Sequence, residues 1–160
     1  MNSLLSRALE LQRVAHELMY FGMDGTPVYS DTFCRLNKEV LVQSDSLFPV
    51  QGSDVEEEAN LCLALLMGYN ATIYDDGDKE QKKQMVLNRI CLVLEQLPAS
   101  LLKVRLLTYT YGEVYEEVLF QEAYAIIEGW NKDNLSSEQT EIIEELKNIE
   151  ENPYPFEEVE

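Results

Sequence analysis

The sequence has no apolar run long enough to cross a bilayer; the longest, Leu61 to Met67, falls far short of the ~20 residues that a spanning helix needs. The N-terminal stretch also lacks an export signal, because Arg7, Glu10, Arg13, His16 and Glu17 interrupt any apolar block, and the expected location is the cytoplasm. Zinc ligation is not supported: Cys34, Cys62 and Cys91 are widely spaced, form no CxxC pair, have no second ligand nearby, and read as small buried apolar residues. Glycine (7) and proline (5) are too scarce for a disordered, low-complexity chain. Scarcest of all relative to their opposites are the bases. Lys and Arg total 12 against 30 Asp and Glu, a formal net charge of -18, which disfavours direct binding to nucleic acid or to an anionic membrane surface.

What the chain has is 46% apolar residues spread along its length, enough for one ordinary core. Leu4, Ala8, Leu11, Ala15 and Leu18 recur in alternating steps of four and three and predict a helix to about Tyr20, ended by a turn through Gly22, Asp24, Gly25 and Pro27. Ser30 and Asp31 offer caps for a second helix carrying Phe33, Leu36, Val40 and Leu47, stopped by Pro49 and Gly52. Ser53 to Glu56 reads as a capping box for a third, acidic in its first turn and then apolar on nearly every side from Leu61 to Tyr69, the candidate central helix.

After the polar stretch Tyr74 to Gly77, Asp78 is the expected cap of a fourth helix. Val86, Ile90, Val93 and Leu97 form its buried face, and Lys79, Lys82, Lys83 and Arg89 fall mostly outside it. Pro98 stops that helix and starts a fifth, Leu101 to Tyr111, with Gly112 as terminator. A sixth places Tyr115, Leu119, Ala123, Ile126 and Trp130 in one stripe, and a second capping box, Ser136 to Gln139, opens a seventh with Ile142, Leu146 and Ile149 on its apolar edge. Leu106 to Tyr111 has β-favouring residues, but its neighbours suit helix. The expectation is an all-α, compact single-domain bundle of about seven helices with little or no β-strand, spanning residues 1–150, followed by an extended acidic tail at 151–160.

Little in this pattern carries catalytic chemistry. His16 is the only histidine, sits in an amphipathic helix as a surface or boundary residue, and has no serine or cysteine in a nucleophile motif to serve. Asp75, Asp76 and Asp78 lack the order of a calcium loop and its closing glutamate, and no GK[ST] phosphate loop occurs. No catalytic residue, metal or cofactor is expected, although among so many carboxylates spacing alone cannot pick out or dismiss a glycosidase-like pair.

The charge is uneven. Residues 1–105 hold 15 acids and 10 bases, whereas residues 106–160 hold 15 acids and 2 bases. Aromatic residues interleave with those carboxylates, and Tyr109, Tyr111, Glu113, Tyr115, Glu116 and Glu117 are the candidate partner-binding residues, with tyrosines as anchors and the field steering a basic partner. The alternative is a solvated face whose tyrosines turn inward. Tyr154 and Phe156 in the tail pose the same choice between a docking motif and a frayed end.

Four blocks in order resemble the UpxZ family of transcription antitermination antagonists: Gly22 to Asp31 with Arg35-Leu36-Asn37; Glu57 to Tyr69; Leu97 to Lys103; and Tyr111 to Val114 with Ala125-Ile126-Ile127. The similarity spans about residues 2 to 155. It implies a negative regulator from a capsular polysaccharide operon that binds and inhibits non-cognate NusG-like, UpxY-type antitermination factors, and it supplies no catalytic or binding residues to carry over. A factor that approaches nucleic acid needs basic surface, which an acidic protein can cover. Two other functions stay open: a helical structural or oligomerisation protein with no regulatory target, and a carboxylate-site enzyme. Homo-oligomerisation is open as well.

Overall fold

A helix that is apolar all round has to be enclosed, and Val55–Ala71 (α3) is: every side chain from Ala59 to Tyr69 is buried. The computed structural model describes residues 3–21, 30–73 and 78–151. Among these the elements are seven helices with no strand, in the order Leu4–Met19 (α1), Asp31–Leu47 (α2), α3, Lys79–Gln96 (α4), Leu101–Val114 (α5), Glu117–Glu128 (α6) and Ser137–Glu151 (α7). They fall into two compact units, Met1–Leu97 and Pro98–Glu160. The expected turn from Gly22 to Pro27, the stretch from Tyr74 to Gly77 and the tail from Asn152 onward lie outside the described residues.

In the first unit α1, α2 and α4 pack around α3. α1 contributes Ala8, Leu11, Val14, Ala15 and Leu18, the predicted stripe with Val14 added and Leu4 left half-buried. Each fully buried leucine is worth about 2 kcal/mol of transfer free energy, so Leu61, Leu63, Leu65 and Leu66 make α3 the main source of the unit's stability. One buried polar contact fixes the register: the Gln12 side-chain amide donates to the Asn60 carbonyl at 2.9 Å and to Asn60 Oδ1 at 3.2 Å. The end of α3 is held by Asn37, which accepts from the Ile73 N–H at 2.8 Å and donates back to its carbonyl at 3.0 Å.

Several predicted details shift. The capping box of α3 moves one residue on: Asp54 is the N-cap and accepts from the Glu57 N–H at 2.8 Å, while Glu57 Oε1 accepts from the Ser53 N–H at 2.7 Å. Next to the box, Glu58 is drawn inward, accepting from the Gly52 N–H at 2.7 Å and from Arg89 Nε at 2.9 Å. Asp78 sits at the start of α4 without a side-chain capping bond; its carboxylate pairs with Lys82 at 3.4 Å. Arg89, expected outside, is folded in. Of the cysteines only Cys62 is buried, with its thiol pKa pushed up to about 12 by burial and by the Glu58 charge, whereas Cys34 and Cys91 are exposed on the outer faces of α2 and α4.

α2 approaches α3 closely because position 68 is glycine. A Cβ there would land on Ser44 Oγ, a buried hydroxyl with no hydrogen-bond partner among the described residues. Gly68→Ala should therefore cost about 1–2 kcal/mol despite alanine's better helix propensity, Ser44→Ala should cost little, and the double variant should recover most of the loss. Chemical denaturation of the three variants checks this; additive losses would rule out the contact.

In the second unit α5 packs against α6 and α7. Ser100 caps α5 by accepting from the Lys103 N–H at 3.1 Å. The helix runs through Gly112 instead of stopping there, and that glycine faces Ile149 of α7, whose Cδ1 a Cβ would meet at an ordinary contact distance of 3.4 Å. α5 ends instead at Tyr115, the one described non-glycine residue with positive φ, 55°. Tyr115 and Trp130 thus fall outside α6, whose buried residues are Ala123 and Ile127. The second capping box forms as predicted, Gln139 N–H to Ser136 Oγ at 3.0 Å and Ser136 N–H to Gln139 Oε1 at 2.9 Å, and Ile142 and Leu146 are buried.

Candidate partner-binding surface

The junction of α5 and α6 brings together most of the acidic and aromatic residues singled out in the sequence. The left-handed turn at Tyr115 reverses the chain within two residues; its N–H still donates to the Tyr111 carbonyl at 2.8 Å, and the Leu119 N–H then donates to the carbonyl of Glu116, the N-cap of α6. A bulky residue in this conformation carries a backbone cost of about 1–2 kcal/mol, which surrounding contacts have to offset. Ring packing supplies them: Tyr115 lies 5.3 Å from Tyr111, Tyr111 stacks on Phe120 at 5.5 Å with 25° between planes, and Phe120 meets Tyr124 edge-on at 4.7 Å.

The result is a row of four rings, all half-buried, that crosses from α5 to α6. Lys103, almost covered, braces the same two helices through Glu122 at 2.7 Å. Tyr124 ends the row beside α7, where its hydroxyl is 3.5 Å from Glu150 Oε1; burial first and the Glu150 charge second push its pKa up, so the phenol stays protonated as a donor. Beside the row Glu116 and Glu117 are exposed, and Val114 at the end of α5 and Val118 in the first turn of α6, 38% and 62% exposed, add apolar area. Neither Glu116 nor Glu117 serves as a side-chain cap, and Glu117 sits in the first turn of α6, where the helix dipole favours its charge.

Tyr109 differs from the other candidates. It is only 8% exposed, its pKa is pushed up to about 12 by burial and then by the charge of Glu145, and it packs inside its unit instead of facing a partner. Tyr111, Glu113 and Tyr115 are half-buried. Phe120, Tyr124 and Val118 complete the surface but were not among the candidate residues. Their signal was present as the i,i+4 pairs 111/115 and 120/124, but merging the pairs into one row requires the turn at Tyr115, which spacing does not reveal.

Half-buried rings already packed on one another offer contact area at low entropic cost, and the carboxylates beside them make the local field negative. Among the described residues no group of His, Cys, Asp or Glu is placed to hold a metal ion, and no helix is long and apolar enough to cross a membrane.

The profile of the UpxZ family of transcription anti-terminator antagonists matches residues 8–112. Among solved structures, a transcription anti-terminator antagonist UpxZ from Bacteroides uniformis ATCC 8492 is 68% identical to this chain, with 99% of each chain covered and a TM-score of 0.89. No curated protein matches it.

Proposed function

Since this chain belongs to the UpxZ family of transcription anti-terminator antagonists, we propose that it binds and inhibits non-cognate NusG-like, UpxY-type antitermination factors of capsular polysaccharide operons. The family is a class of transcription regulators, not of enzymes, and the action proposed is protein–protein binding in the cytoplasm without catalysis or cofactor. The observation that carries the acidic-surface reading is the ring row Tyr115, Tyr111, Phe120 and Tyr124 set in a unit with 15 acidic and 4 basic residues. An antitermination factor that must approach nucleic acid and polymerase presents basic surface, and rings flanked by carboxylates can stack on and pair with its arginines. Glu113, Glu116 and Glu117 supply charge, Tyr111 and Tyr115 contact area.

The test is a pull-down of purified UpxY-type factors, cognate and non-cognate, on the immobilised protein. Capture of non-cognate factors in preference to the cognate one is expected; capture of none would leave the structural or oligomerisation role.

A further inference from the structure

α4 packs on α3, buries Val86, Ile90 and Val93, and shows its opposite side to solvent. That side is a continuous stripe: Gln81, Gln84, Met85, Asn88, Cys91, Leu92 and Glu95 recur in steps of three and four, and all are exposed. Met85 and Leu92, two turns apart, are 54% and 63% exposed. Glu95 is the stripe's one charge, in a chain of which 26% of the residues are charged. The cations of α4 lie off it, with Lys82 turned to Asp45 and Asp78 and Arg89 to Glu58.

The stripe is arranged as its own complement. At 3.6 residues per turn, Met85 and Leu92 fall to one side of the line through Asn88, and Gln84 and Cys91 to the other. A two-fold axis perpendicular to the helix at Asn88 would set a second α4 antiparallel to the first, and like sides then meet. Met85 of each copy lies against Leu92 of the other, Gln84 against Cys91, Gln81 against Glu95, and Asn88 against its own mate. Both apolar side chains are covered, no charge faces a like charge on the contact line, and Glu80 falls to the solvated rim. Parallel pairing would set Glu95 on Glu95 and separate Met85 from Leu92. Gln84 and Asn88, which bond each other at 3.1 Å, carry amides able both to donate and to accept across the axis.

We propose that the outer face of α4 is a self-association surface on which a second copy of this chain docks antiparallel, in the register centred on Asn88. Self-complementarity and charge select this occupant. Two chains of net charge -18 repel each other wherever their acids meet, and this stripe lets them touch with that repulsion least. A basic partner is drawn instead to the acidic residues of the second unit. The stripe covers about 21 Å of helix, too little to bury the ~1,200–2,000 Å² of a stable complex, so the dimer is weak, with a Kd of about 0.1 mM. Salt screens the repulsion between copies and strengthens the dimer, whereas binding of a basic partner weakens.

The experiment is sedimentation equilibrium of the full chain up to about 1 mM at low and physiological ionic strength, together with disulfide crosslinking. A monomer–dimer equilibrium is expected, tightening roughly threefold with salt. Leu92→Glu, at an exposed position, should weaken it about tenfold or more at unchanged helix content. Oxidised Gln84→Cys should form a covalent dimer through Cys91 that is lost when Cys91→Ser is added. The native chain should not crosslink at Cys91, because that residue and its mate lie about 9 Å apart along the axis. A chain that stays monomeric would overturn the proposal and leave the face to a different protein. A dimer that ignores Leu92→Glu, weakens with salt, or crosslinks through native Cys91 would overturn it as well, by placing the contact elsewhere or in parallel register. No antitermination factor enters these measurements, so their failure and that of the pull-down are distinguishable.

Discussion

Arg89→Ala is expected to lower the stability of the first unit by about 3 kcal/mol, the largest loss for any single side chain outside the apolar core. The guanidinium donates to both oxygens of Glu58, at 2.9 and 3.0 Å, and to the carbonyls of Phe48 and Val50 at 3.2 and 2.8 Å. Both side chains of the ion pair are 18% exposed, so water cannot replace these bonds freely. Removing Arg89 strands a carboxylate and two carbonyls in the segment that joins α2 to α3. Replacing both partners by methionine should recover part of the loss by removing the stranded charge, though the two carbonyls would still lack their donor. Amide hydrogen exchange of α3 and α4 reads the effect locally; protection unchanged in Arg89→Ala would refute it.

The same pair sets a pH dependence. Burial alone would raise the Glu58 pKa, but hydrogen bonds from Arg89 and the Gly52 N–H, together with the Arg89 charge, outweigh it and hold the folded value below 4.5. A depressed carboxylate pKa stabilises the fold fully above the unfolded value, and the contribution disappears as pH falls through the folded value. The stability difference between the native protein and Glu58→Gln should therefore be largest near neutrality and shrink below about pH 4.5. A difference that persists unchanged in acid would assign it to packing.

Reversing Glu113, Glu116 and Glu117 to lysine together is expected to weaken binding of an UpxY-type factor about 10- to 100-fold, mostly through slower association. The unit that carries them is strongly acidic, so its field steers a basic partner from beyond contact distance, and the reversal lowers that field where the rings lie. The native complex should weaken steeply as salt is raised, because the screening length falls to about 8 Å at physiological ionic strength, and the triple variant should respond much less. Kinetics at two salt concentrations check both statements. Association that ignores both salt and substitution would exclude the acidic surface as the interface.

Legibility in the sequence followed the range of the interaction involved. The enclosure of α3 was readable because apolar residues on every side of a helix have no alternative to burial, and the Ser136–Gln139 box because its two hydrogen bonds close within four residues. The acidic bias of the second unit is a count and needs no structure. By contrast, Gly112 reads locally as a helix end, yet α5 continues through it to Val114 and ends at the left-handed Tyr115. Arg89 reads as solvated, yet Glu58 and two carbonyls reached through a distant loop draw it in.

The sequence by itself thus determined an all-helical chain of seven helices, the capping box at Ser136 and the cap at Ser30, and an excess of acidic and aromatic residues after residue 105, since period, capping chemistry and charge act over one or two turns or by simple addition. Only the tertiary structure decided that Tyr109 is buried while Tyr111, Tyr115, Phe120 and Tyr124 join into one row, and that Arg89 is drawn in to Glu58. Those outcomes depend on how neighbouring helices approach, a matter of side-chain volume and backbone turns that no residue's own chemistry specifies.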